Sequence, residues 1–218
     1  MTRIAEFFSD ADRTAIAEAV REAEQASGGE IVVFVCPACD DYAHAAWKGS
    51  ALGAIGATGI AALVHSLVGF WGFAPTWLGL PALAGAAIGF LLPPRWSRLR
   101  RWLASAPVMR RRARSRAAEA FLEAEVFDTR DRTGILLFLA LFEHEVVVLG
   151  DKGIDARVEP GVWNELTVTI AAGMRSGRPG EAILAGVRRC GEILSRHGVE
   201  RRDDDRDELS NELRWEDE

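Results

Sequence analysis

Residues 134–154 read GILLFLALFEHEVVVLGDKGI, and the fold turns on how this stretch is divided. Gly134–Phe142 and Glu145–Leu149 are short runs of aliphatic, β-branched and aromatic residues separated by the polar pair Glu143-His144. Two such runs across a brief polar interruption predict an antiparallel β-hairpin, even without an Asn-Gly turn. Gly150-Asp151-Lys152-Gly153-Ile154 then leaves the sheet as a loop.

Working outward, Glu30–Cys36 (EIVVFVC) is a third strand, too apolar to face water and stopped by Pro37. Before it, Ser9 with Asp12 three residues on has the form of a helix start. Ile16, Ala19, Val20 and Ala23 follow at helical spacing to about Ala26, and Ser27-Gly28-Gly29 ends the run. Beyond the hairpin, Val162–Met174 reads as a helix. A last helix starts near Pro179 and carries Ile183, Leu184, Val187, Cys190, Ile193 and Leu194 on one face up to His197-Gly198. From Glu200 onward ten acids stand against four arginines, so the tail is expected to be mobile or to fold back through Leu209, Leu213 and Trp215. Helix, strand, insertion, helix, strand, strand, helix, helix suits an α/β fold in which a small mixed sheet has helices on both faces.

The insertion is of another kind. Ala51–Phe73 is 23 residues without a formal charge, which as a helix is ~35 Å long, enough for a hydrocarbon core of ~30 Å. Thr76–Leu92 is a second, shorter span, and Gly72-Phe73-Ala74-Pro75-Thr76 between them is too short to hold a domain. The sequence therefore predicts a transmembrane hairpin with both soluble pieces on one side. Asp40–Lys48 is read as helix running into the first span, and Leu99–Val126 as helix interrupted at Pro107.

The net charge of -6 conceals a block of nine arginines and no acid between Arg95 and Arg116. With Lys48 before the first span and no charge in the turn, the positive-inside rule puts both soluble parts in the cytoplasm. Arg95, Arg98, Arg100 and Arg101 surround Trp96 and Trp102 where anionic lipid would lie; Trp47 falls at that same near interface, and Trp71 and Trp77 at the far one. The basic block reads as lipid-facing, with nucleic acid a distant alternative. Small residues recur at Gly53, Ala57 and Ala61, and at Gly85 and Gly89. Counted from the shared end, Gly53 falls opposite Gly89 and Ala57 opposite Gly85, so the two helices could approach closely, or the same faces could join two protomers. His65 inside the first span is read as a neutral, hydrogen-bonded imidazole in preference to a proton relay, because no acid accompanies it.

Chemistry is sparser. The first 25 residues carry Glu6, Asp10, Asp12, Glu18, Glu22 and Glu24 and no apolar core, which argues against a signal peptide; the odd set Cys36, Cys39 and Cys190 then favours reduced thiols. Cys36-Pro37-Ala38-Cys39 follows a strand and precedes a helix, where a redox dithiol would gain from a helix N-terminus, yet two adjacent buried thiols is the favoured reading. Zinc lacks a second half-site. More suggestive, Asp128, Asp131 and Arg132 precede one hairpin strand while Asp151 and Asp155 follow the other, so loops at one end of the sheet converge several carboxylates. Solvated turn acids are the simplest account, and a weak Ca²⁺ or Mg²⁺ site is the sharper one. No nucleophile paired with a base, phosphate loop or dinucleotide fingerprint is visible.

The combination of FFSDADRTAIAEAVREAEQASGGEIVVFV, TRDRTGILLFLALFEHEVVVLGDKGI, VWNELTVTIAAGM, AILAGVRRCGEIL and DELSNEL resembles the TPM domain family. That resemblance implies an α/β/α sandwich, here interrupted by the inserted two-helix transmembrane hairpin. It also implies acid phosphatase activity of the kind attributed to plant members, and divalent-cation binding of the kind attributed to some, with Asp131, Asp151 and Asp155 as the metal positions carried over. The resulting layout is 1–48 as the first part of the domain, 49–94 as hairpin, 95–116 as Arg-rich juxtamembrane helix, 117–199 as the second part and 200–218 as acidic tail. The expected role is a membrane-anchored protein-interaction or assembly module that partners membrane lipid and another membrane-associated protein, with a metal-assisted phosphomonoesterase as the alternative.

Overall fold

The first described helix starts where Ser9 and Asp12 place it. In the computed structural model, which describes residues 7–68, 76–197 and 213–215, the Ser9 hydroxyl accepts the Asp12 backbone N–H at 3.1 Å and the Asp12 carboxylate accepts the Ser9 N–H at 2.9 Å. This reciprocal box opens α1 (Asp10–Ala26) and satisfies two of its unpaired first-turn donors. The hydrogen bonds from Ser9 hold the Asp12 carboxyl below its ordinary value. A depressed folded-state pKa contributes stability above the unfolded value that is lost as pH falls through the folded one. Ser9→Ala is therefore expected to cost about 1 kcal/mol at neutral pH, and the difference from wild type should shrink in urea melts as Asp12 protonates below about pH 4.

β1 (Ile31–Cys36), β2 (Ile135–Ala140), β3 (Glu145–Gly150) and β4 (Arg214–Trp215) form one sheet in the order β3-β2-β1-β4. β1 runs parallel to β2, with Ile31 opposite Ile135, and parallel to β4; β2 and β3 are antiparallel. All six residues of β1 and of β2 are buried, whereas in β3 only Val146 and Val148 are, which fits two central strands beside an outer one. The predicted two-residue turn is corrected to a four-residue loop, Leu141–His144. Leu141 and Phe142 donate their N–H groups to Cys36 O and Pro37 O, and only His144 takes a left-handed conformation (φ 55°). A two-residue turn would need positive φ at Glu143, alone or together with His144, which a side chain bearing a Cβ resists.

Alternation along the strands sends side chains to two cores. One face gathers Ile31, Val33, Val35, Ile135, Leu137 and Leu139 with α1 and α8 (Pro179–Arg196); Leu166 and Ile170 of α7 (Val162–Arg175) join them. Opposite, Val32, Phe34, Leu136 and Phe138 pack on Ala113, Ala117, Ala120 and Ala124, a stripe of methyls that lets α5 (Ala106–Glu123) lie close to the sheet. Phe34 and Phe138 stack with centroids 5.7 Å apart, and the Arg116 guanidinium lies 5.5 Å over Phe34. The expected mixed α/β class, a small sheet with helices on both faces, is therefore observed. Of the tail, Leu213 is buried and Trp215 lies under the Arg13 guanidinium at 5.6 Å, while Leu209 and the rest of 200–212 fall outside the described residues.

Residues 40–109 make a second compact unit, and 1–39 with 110–218 the first. In the 40–109 unit, α2 (Ala43–Val68) and α3 (Thr76–Arg95) are the two apolar helices, followed by α4 (Ser97–Ala104). The chain break expected at Pro107 falls instead at Ser105 (φ 65°), and Pro107 sits in the first turn of α5, where its missing N–H costs nothing. Lys48 Nζ donates to Leu103 O at 3.0 Å and the His44 ring lies 3.4 Å from Ala104 O, so cationic or polar groups cover the open carbonyls ending α4. The turn around Trp71 lies outside the described residues.

Candidate functional site

Three places in the described residues gather polar or reactive groups. At the first, the loops before β2 and after β3 meet as the hairpin dictates: Asp151 N–H donates to Gly134 O at 2.8 Å, and Gly153 N–H to Arg132 O at 2.8 Å. The approach is so close that a Cβ on Gly153 would collide with Asp131 O. Asp151, 5% exposed, caps the short helix α6 (Lys152–Asp155) by accepting the Lys152 N–H at 2.7 Å. Arg132 grips its two carboxylate oxygens, Nε at 2.7 Å and Nη2 at 3.1 Å. Asp155 instead accepts the Trp163 indole N–H at 3.0 Å, and that ring covers Gly150.

The three acids thus have different employments. Two of them engage an arginine and an indole, Asp131 contributes a main-chain carbonyl to the packing around Gly153, and among the described residues no group of three or more His, Cys, Asp or Glu side chains is placed to hold one ion. Arg132 was visible in the sequence beside these acids. Its part as their counter-charge was not, since nothing local predicts which of several acids a bidentate guanidinium will take.

The second place is the end of β1. Cys36 is fully buried, Cys39 is partly exposed, and their sulfurs are 3.9 Å apart with no disulfide. The helix expected to begin directly after Cys39 starts only at Ala43, with the Asp41 carboxylate accepting the Ala43 N–H at 3.0 Å, so the helix N-terminus serves Asp41, whose carboxyl it holds below the ordinary value. Cys39 is instead pushed up, by the hydrogen bond with Cys36, then burial, then Glu143. Glu143, 4% exposed, accepts the Cys39 backbone N–H at 2.8 Å. This residue escaped sequence reasoning because its partner lies 104 positions away. Its one signal was an acid at the end of a wholly apolar strand.

The third is a cleft of about 340 Å³ between α7 and α8, lined by Val162, Leu166 and Gly186 with Glu165 and Arg189 at its edge; Arg189 is held by Glu192 at 2.7 Å.

Within the second unit, α2 and α3 meet through glycine. Added Cβ atoms at Gly49 and Gly89 would each strike the other's backbone, as would those at Gly53 and Gly85. A Cβ on Gly53 would also come within 3.3 Å of Gly89 Cα, and one on Gly85 within 2.6 Å of the Ala57 methyl, so each of these two glycines nests between two small residues on the other helix. Trp47, Trp77, Trp96 and Trp102 are exposed, as are Arg95 and Arg98, while Arg100 and Arg101 are partly covered.

Comparison with functionally curated proteins gives no match. Among solved structures, the NMR structure of BA42 protein from the psychrophilic bacterium Bizionia argentinensis is similar, with a TM-score of 0.58 at 18% identity over 99% of this chain and 100% of that one. At that identity the likeness concerns fold. The family model described as the TPM domain matches residues 108–193, a span that holds α5's core face, the β2–β3 hairpin, both acid loops, α7 and most of α8. The resemblance carried by GILLFLALFEHEVVVLGDKGI is accordingly borne out there: residues 108–193 are a TPM domain match.

Proposed function

We propose that this chain is a membrane-anchored TPM-like module, held by α2 and α3 as a transmembrane hairpin, which binds a membrane or membrane-associated protein partner at the cytoplasmic face. One observation carries the anchoring. Both helices are long and apolar enough to cross a membrane, and in their most apolar 18-residue windows 0% of α2 and 6% of α3 is buried. Leu52, Ile55, Ile60, Leu63, Leu67, Leu80, Leu83 and Ile88 all stand exposed, a cost that water would impose and lipid would not. Anionic headgroups are the natural counter-charge for Arg95 and Arg98 beside the exposed rings of Trp96 and Trp102.

The interaction role rests on a domain whose acids are already engaged by Arg132 and Trp163. The competing reading, a Ca²⁺- or Mg²⁺-assisted phosphomonoesterase built on Asp131, Asp151 and Asp155, needs those carboxylates to rearrange around an ion.

Two measurements test this. Cys190 is wholly buried and unsuited to labelling, so a cysteine at exposed Glu22 serves: an impermeant maleimide is expected to spare Glu22→Cys in intact cells and label it after permeabilisation, and labelling of intact cells reverses the orientation. Purified protein in mild detergent is expected to show no turnover of a generic phosphomonoester with either cation; a robust rate abolished by Asp155→Asn would replace the binding role with the hydrolytic one.

A further inference from the structure

Neither the hairpin nor the acid loops account for Cys36 and Cys39. They stand at the carboxyl ends of the parallel pair β1–β2, Cys36 as the last residue of β1 and Cys39 three residues on, at the edge of an α/β sheet where loops converge on ligands. The sulfurs are 3.9 Å apart, and closing to the ~2.05 Å of a disulfide has to move only residues in 37–42, a segment outside any helix or strand. Cys39 is partly exposed and Cys36 fully buried, so a reagent from solvent meets Cys39 first. Buried Glu143 accepts the Cys39 backbone N–H at 2.8 Å, which holds its carboxylate beside that residue.

We propose that Cys36-Pro37-Ala38-Cys39 is a reversible dithiol–disulfide couple that delivers two electrons to a disulfide substrate, with Glu143 taking the Cys39 proton. In the first step the Cys39 sulfur attacks one sulfur of the incoming R–S–S–R as its proton passes to Glu143. The substrate S–S bond breaks, a mixed Cys39–S–S–R bond forms, and the expelled thiolate collects the proton from Glu143. Cys36 then attacks the Cys39 sulfur, and its own proton leaves on the second R–S⁻. The sum is dithiol plus R–S–S–R giving the intramolecular disulfide plus two R–SH.

Glu143 is needed because its own charge, the Cys36 thiol and burial together keep Cys39 protonated; a thiol in that state attacks only if a neighbour accepts the proton in the same step.

The test uses the full chain in mild detergent, equilibrated in reduced and oxidised glutathione at rising ratio, then acid-quenched, denatured and counted for thiols by maleimide mass. Wild type is expected to fall from three thiols to one, Cys190, without a retained glutathione adduct. Cys36→Ser is expected to stop at such an adduct on Cys39, and Glu143→Gln to reach the wild-type end point at least tenfold more slowly. Three thiols persisting in fully oxidised glutathione, or a stable adduct on wild type, overturns the couple. An unchanged rate in Glu143→Gln removes the proton-acceptor role. The wild-type titration decides the first point even if a variant fails to fold.

Discussion

Gly53→Leu and Gly85→Leu are expected to separate the two apolar helices, at a cost of about 3 kcal/mol each, the upper end for overpacking. The obstacle in both cases is a backbone carbonyl of the opposite helix, which cannot rotate aside as a side chain can. Part of the cost is recovered because glycine is a poor helix former, by about 1 kcal/mol relative to better residues. Gly56 and Gly59 provide the control, since a Cβ at either meets nothing within 4 Å. Chemical denaturation in dodecyl maltoside micelles should therefore show Gly53→Leu and Gly85→Leu well below wild type, and Gly56→Leu and Gly59→Leu equal to it or slightly above. Equal losses at Gly53 and Gly56 would mean that helix contact is not what the glycines serve.

Arg132→Met and Asp151→Ala are the other large effects. Asp151 is 5% exposed and makes three interactions at once: a bidentate ion pair, the α6 cap, and, through its own N–H, the hydrogen bond that ties the loop to Gly134. Removing Arg132 takes the bidentate counter-charge from a buried carboxylate that still accepts the Lys152 N–H. Because Arg132 itself is half exposed, the loss is set at the low end of the range for a buried pair, about 3 kcal/mol for either single variant. The double variant should cost clearly less than the sum, since each single change leaves a group that the second removes. Urea titrations of the four proteins check this, and additivity would show that the two side chains act separately.

These effects divide along the same line as what could be foreseen. β1, β2 and β3 were legible because each is a short apolar run with a stop signal, and α1 because Ser9 and Asp12 are three residues apart. The convergence of the Asp131 and Asp151 loops followed from hairpin geometry alone. What the acids do there did not follow, because partner choice depends on where Arg132 and Trp163 arrive in space. The four-residue turn was missed because Leu141 and Phe142 are apolar enough to pass for strand, and they spend their N–H groups on the neighbouring strand's end. β4 was unreadable: two residues in an acidic tail carry no periodicity, and pairing with Phe34 and Val35 decides the matter.

The order β3-β2-β1-β4 also sets a timetable for synthesis. β1 pairs with β2, which starts at Ile135, and with β4, which starts at Arg214. At about 5–20 residues per second, the ribosome finishes IVVFVC many seconds before any strand exists to receive it. During that interval the chain emits both apolar helices. Whatever captures those helices must do so while a fully hydrophobic strand hangs unpaired just upstream, so the nascent chain passes through its most aggregation-prone state before the sheet has its second member.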